Sequence, residues 1–182
     1  MINKIYKFSV CMIIICIIVL LCLLSCVLIL ERKKELPYRN LMPKDYYSAI
    51  NILEKGYEST FVSMTKEEYR QFVENDLGLH CYIYSEKHIN GFAGKTYPMI
   101  RLIVIDPDVS GYKYCETFVH EAIHLKEFIG QEDYVSFQTF KYLYESEKLH
   151  NVGVLYGLSQ IYGSYEGEYN VSHLIVDYLT KN

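Results

Sequence analysis

The chain has no tryptophan, no surplus of positive charge and, outside one segment, little cysteine. Its 18 basic side chains are outnumbered by 22 acidic ones, for a formal net charge of −4. That balance lacks the basic footprint a nucleic-acid surface needs, so no nucleic-acid partner is expected. Cys11, Cys16, Cys22 and Cys26 all fall inside one apolar run, where they serve as small hydrophobes. Only Cys81 and Cys115 remain; they either pair in an oxidising compartment or stay as two buried thiols. No internal repeat is present, and no low-complexity segment outside the apolar run. With tryptophan absent, 19 tyrosines carry much of the aromatic core and interface packing.

What the chain has instead is an apolar fraction of 51%, much of it concentrated near the amino terminus. From Phe8 to Leu30, "FSVCMIIICIIVLLCLLSCVLIL", no residue is charged. A helix of about 20 residues crosses a bilayer core, so this run predicts an N-terminal transmembrane helix over 8–30. A helix apolar on every side is not the pattern of a half-buried core helix. Residues 1–7 form a short basic tail and 31–42 a polar linker, leaving a domain over 43–182. "LLSC", Leu23 to Cys26, is similar to a bacterial lipobox and makes a lipoprotein signal the alternative. The run continues to Leu30 with no small-x-small cleavage site, which favours an uncleaved anchor. Lys4 and Lys7 nearly balance Arg32, Lys33 and Lys34 across it. The shortness of the tail points to a single-pass membrane protein with its domain outside the cytoplasm.

The rest predicts a helix-dominated α+β domain. "PKDYYSAINILEKG" reads as a helix from Pro43 towards Gly56. A second helix follows a capping box from Thr65 to Glu68 and stops at Gly78. "LHCYIYSE" alternates like a strand, "INGFAGKTYP" suggests an irregular hairpin, and Met99 to Asp106 is the clearest strand. A motif helix then starts near Asp108 or Ser110 and runs to Gly130. Three further helices begin near Gln131, Asn151 and Asn170.

The motif is "HEAIH". On a helix, His120 and His124 lie one above the other and can grip one ion. Glu121 is rotated about 100° from His120, beside the open side of that ion. There it can serve as general base for a zinc-activated water. Histidine and glutamate are common enough that the spacing alone is weak. The setting strengthens it: Phe118, Val119, Ala122, Ile123 and Leu125 make the surrounding helix apolar. Two histidines and a glutamate there need partners, which a zinc ion supplies. The third ligand is open between three acids. The metzincin continuation fails, since Glu127 and Gly130 stand at its glycine and histidine positions. Glu127 shares the stripe of His120, but one helix rarely wraps three ligands around a tetrahedral ion. Glu132 opens the next helix, and an antiparallel helix pair would bring it back over the motif. Asp133 is its neighbour. Glu132 is the expected ligand. The asparagine of Asn170-Val171-Ser172 is a chance glycosylation sequon.

"HEAIHLKEFIGQEDYVSFQTFKYLY" resembles the small gluzincins, in which an HExxH helix is followed by one opening E-x-x-[AV]-[DNS]; the matching residues are Glu132, Val135 and Ser136. It is particularly similar to an uncharacterised bacterial family of membrane-associated HExxH proteins, a likeness carried by "EDYVSF" and "HNVGVLYGLSQIY". The resemblance covers about Met99 to Tyr162. It implies a minimal gluzincin-like zinc peptidase domain, with a small sheet before the HExxH helix. It also implies that the strand Met99 to Asp106 is an edge that captures an extended substrate.

The expected function is therefore a membrane-anchored zinc metalloendopeptidase acting on a peptide or protein substrate. Its zinc is held by His120, His124 and Glu132, and Glu121 is the catalytic base. His150, Tyr156, Tyr162 and His173 are the candidates for stabilising an oxyanion. The alternative is a non-catalytic, membrane-anchored protein-binding module whose metal is structural or lost.

Overall fold

The computed structural model describes residues 12–23, 43–57, 64–87, 91–128, 131–163 and 171–182. Contacts divide the chain into two units, Met1–Glu35 and Leu36–Asn182.

In the first unit a helix, α1, is described over 12–23. Among the described residues no helix is long and apolar enough to cross a membrane. The expected transmembrane anchor over 8–30 is therefore corrected, and with it the single-pass, extracytoplasmic localisation built on it. The basic tail 1–7, both ends of the expected anchor and the linker 31–42 lie outside the described residues.

The second unit is helix-dominated α+β. Helix α2 covers Pro43–Gly56, with Asp45 near its positive end and Lys55 near its negative end. Ala49 and Leu53, four apart, bury its inner face. Helix α3, Lys66–Leu77, begins in the expected capping box: the Thr65 side chain accepts from the Glu68 N–H, and Glu68 accepts from the Thr65 N–H. It ends at Gly78, whose φ of 60° is the left-handed conformation glycine tolerates best.

Three short strands follow: β1 (Tyr82–Ser85), β2 (Gly94–Tyr97) and β3 (Leu102–Ile105). Their spatial order is β1-β3-β2, with β1 parallel and β2 antiparallel to β3. This corrects two expectations. Met99 and Ile100 are not in a strand but in a 3-10 turn, Pro98–Ile100, opened by a proline that cannot donate to a ladder. The strand β3 is also central, so both its edges are occupied and it cannot capture a substrate by pairing. β2 is the edge strand that lies on the next helix.

That helix, α4 (Gly111–Glu127), crosses the middle of the unit and packs against α3, β2 and β3. Tyr114, Cys115, Phe118, Val119, Ala122 and Ile123 are buried on its core side. Burying a side chain of that size contributes about 1.5–3 kcal/mol. Both Cys81 and Cys115 are buried free thiols. Burial first, then hydrogen bonding to Glu74, pushes the Cys81 thiol up to about 12; burial raises Cys115 as well.

Three more helices close the unit: α5 (Glu132–Glu145), α6 (His150–Gly163) and α7 (Val171–Lys181). The Gly130 stop expected between α4 and α5 lies outside the described residues, and so does Asn170 of the sequon. The α5–α6 contact is unusually close. A Cβ on Gly153 would meet the backbone of Leu143 and Tyr144, and one on Gly157 would lie 2.8 Å from the Phe140 ring. These glycines let α6 press its intervening turn, with Tyr156, onto α5. Gly153→Ala should lower stability by about 3 kcal/mol, the upper end for overpacking, because the obstacle is backbone and cannot rotate away. Chemical denaturation of the variant measures this.

Candidate metal centre

The site is built where α4 ends and α5 begins. His120 and His124 lie four residues apart on the α4 face away from the core, 21% and 18% exposed. Glu132 is the first residue of α5, where a helix N-terminus favours an acid. From the start of α5, Glu132 reaches both imidazoles.

The three side chains bring four donor atoms together: two imidazole nitrogens and both oxygens of Glu132. His120 Nε2 lies 3.2 Å from Glu132 Oε2, and His124 Nε2 lies 3.2 Å from Glu132 Oε1. The two Nε2 atoms are 3.2 Å from each other. The rings meet edge to face, with centroids 4.9 Å apart. A tetrahedral ion with bonds of about 2.0–2.1 Å holds its ligand atoms roughly 3.3 Å apart, so these separations have the scale of a metal-binding group. His120, His124 and Glu132 are thus a group that could hold a metal ion. Hydrogen bonds from His120 and then His124 hold the Glu132 carboxyl well below the usual carboxylate range, so it is an anion ready to bind a cation.

The competing acids are not part of this group. Asp133 accepts a hydrogen bond from the Tyr134 N–H at 2.8 Å, turned to its own helix end. Glu127 sits at the last turn of α4.

Glu121 faces the same cleft, a groove of about 560 Å³ that also exposes the three donors. Its side chain is 8% exposed. Its Oε2 accepts a hydrogen bond of 2.7 Å from the Thr96 hydroxyl on β2. Gly94, two residues earlier, lies so close that a Cβ there would stand 2.7 Å from Thr117 Cγ2 and 3.0 Å from Glu121 Cγ. Neither Gly94 nor Thr96 was singled out by sequence, because only the sheet pairing brings them to the motif helix. The one available signal was a glycine inside a short strand pattern, which marks close backbone approach.

Of the four oxyanion candidates only Tyr156 lines the cleft. Burial raises its pKa above the usual phenol value, and a hydrogen bond with Ser136 partly opposes that, so it stays a protonated donor at neutral pH. His150 is engaged with the Tyr144 carbonyl at 2.8 Å, His173 with the Tyr46 hydroxyl, and Tyr162 with Glu54. Those three serve helix packing elsewhere.

Comparisons with protein-family models, curated proteins and solved structures find no match. The site therefore stands on its geometry. In the full-length protein, His120→Ala, His124→Ala or Glu132→Gln should each weaken zinc or cobalt binding by more than about 100-fold, exceeding the loss from a mere supporting partner. Glu127→Gln and Asp133→Asn should bind as the parent does. Competition titration with a chromophoric chelator reads both results.

Proposed function

We propose that the protein is a zinc-dependent metallopeptidase of gluzincin type, with His120, His124 and Glu132 as zinc ligands and Glu121 as general base. One observation carries this reading: two imidazole nitrogens 3.2 Å apart, each 3.2 Å from an oxygen of Glu132, open on the same cleft as the buried Glu121 carboxyl of the motif helix. Two imidazoles and a carboxylate suit zinc, whereas magnesium and calcium prefer all-oxygen sites. Zinc, when bound, supplies Lewis acidity that lowers the pKa of water towards neutrality and polarises a carbonyl.

The chain's own groups then have distinct tasks. Glu121 takes a proton from the attacking water and delivers it to the leaving amine nitrogen as the peptide C–N bond breaks. The Tyr156 hydroxyl donates to the oxygen on which negative charge develops. The substrate lies extended along the open edge of β2. Gly94 and Ile105 are a non-hydrogen-bonded pair, as the bond from the Asp106 N–H to the Ala93 carbonyl requires. The N–H and C=O groups of Gly94 and Thr96 therefore point away from β3, towards a chain that could pair there. A protein-binding module with a structural metal gives the buried carboxylate of Glu121 no task, which favours the catalytic reading.

Full-length protein loaded with zinc should cleave casein or an unstructured peptide. Glu121→Gln should retain zinc and lose activity by about 100-fold or more. Tyr156→Phe should lower kcat by about 100-fold, the loss expected for one oxyanion donor, with little change in KM. Undiminished cleavage by Glu121→Gln, or a parent protein that binds no zinc, would refute the proposal.

A further inference from the structure

We infer that Thr96 is a positioning residue for Glu121: its hydroxyl fixes the carboxylate that shares a cleft with His120, His124 and Glu132. The kinetic consequence rests on the metallopeptidase reading; the contact itself does not.

Side chains alternate along β2. Gly94 and Thr96 face α4, where a Cβ on Gly94 would meet Thr117 and Glu121 and the Thr96 hydroxyl reaches Glu121, while Lys95 and Tyr97 face outward. Thr96 Oγ1 lies 2.7 Å from Glu121 Oε2 and 2.9 Å from the Glu121 main-chain carbonyl. One hydroxyl proton serves one of them at a time. The carbonyl already accepts within its own helix, four residues on. The carboxylate is therefore the acceptor that needs the proton, and a hydrogen bond to an anion is about twice as strong as a neutral one. With 8% of Glu121 exposed, solvent offers it few substitutes.

The second constraint is Gly94. Its Cα face sits over the Glu121 side chain, since a Cβ would stand 3.0 Å from Glu121 Cγ and 3.2 Å from Oε1. Glu121 is thus covered by backbone at one β2 residue and held by a hydroxyl two residues on. Long carboxylate side chains lose substantial rotamer freedom when fixed. β2 imposes that order before any substrate arrives.

Thr96 holds Glu121 only through its side chain, while its backbone N–H and C=O lie on the open edge. Removing the hydroxyl therefore leaves the edge able to pair with an extended chain. This separation gives the inference a kinetic signature: the chemical step weakens while substrate binding does not.

The experiment compares full-length Thr96→Val and Thr96→Ser with the parent and with Glu121→Gln. Thr96→Val should keep its zinc stoichiometry and a casein KM within about twofold, while kcat falls about 10- to 100-fold, the scale of a misplaced catalytic group. Thr96→Ser should recover most of kcat. Parent-like kcat in Thr96→Val, alongside an inactive Glu121→Gln, would overturn the inference; so would a loss that serine does not restore. A double-mutant cycle of Thr96→Val and Glu121→Ala in the metal-free protein tests the tie without catalysis. Non-additive shifts of the denaturation midpoint are expected, and additive shifts would refute the contact. If Glu121→Gln cleaves like the parent, the peptidase reading fails and the cycle alone decides Thr96.

Discussion

The return of Glu132 over two histidines of the preceding helix is the constraint on which the rest of the site depends. Three groups that each present lone pairs are brought to 3.2 Å of one another. Such a cluster gains little by itself, because two imidazole nitrogens at that distance need a shared proton or a cation between them. The packing of α4 and α5 on each other and on their neighbours maintains it. Phe118 and Val119 on α4, with Val135 and Phe140 on α5, are wholly buried. The apolar faces of the two helices set their spacing, and the polar faces inherit it.

The same logic sets the other wall of the cleft. β2 is only four residues long and would be a weak element alone. It is fixed by its ladder to β3, by a glycine at its closest approach to α4 and by the Thr96 hydroxyl. α6 repeats the device on the far side, with Gly153 and Gly157 bringing Tyr156 into the cleft. In both places the smallest residue sets the distance, and a neighbour one to three positions away carries the functional group.

These relations explain which features were legible in the sequence. Features written within a few residues were readable: the Thr65–Glu68 box, the Gly78 stop and the pairing of His120 with His124 on one face. Glu132 was readable because a helix pair with a short connection has few ways to fold back. The order of the strands was not. β3 carries the strongest strand composition, yet that composition reflects burial on both sides, which is why it is central rather than an edge. Thr96 has no local mark at all; its role exists only because β2 pairs antiparallel with β3 and lies across Glu121. Tyr156 could not be separated from Tyr162 or the two histidines, since a tyrosine that packs and one that lines a cleft look alike in sequence. The uncharged run near the amino terminus misled in a different way. Composition sets how far a helix could extend, but among the described residues no helix is long and apolar enough to cross a membrane.

The division of labour at β2 bears on how such a small domain can combine order with access. The general base proposed at Glu121 must be held firmly, which argues for burial, and must also face water and substrate, which argues against it. Glu121 meets both demands because its cover is a strand edge rather than a packed core. The side chains of that strand face inward to the base, while alternate backbone groups face outward, unpaired by any described strand. Strand geometry separates the two faces by construction, since in-plane hydrogen bonding and out-of-plane side chains are orthogonal. A helix in the same place would satisfy its own backbone internally and offer the substrate no main-chain edge. On the proposed reading, the short sheet, a minor part of this helical unit by length, is the element that lets one wall both restrain the base and receive a chain.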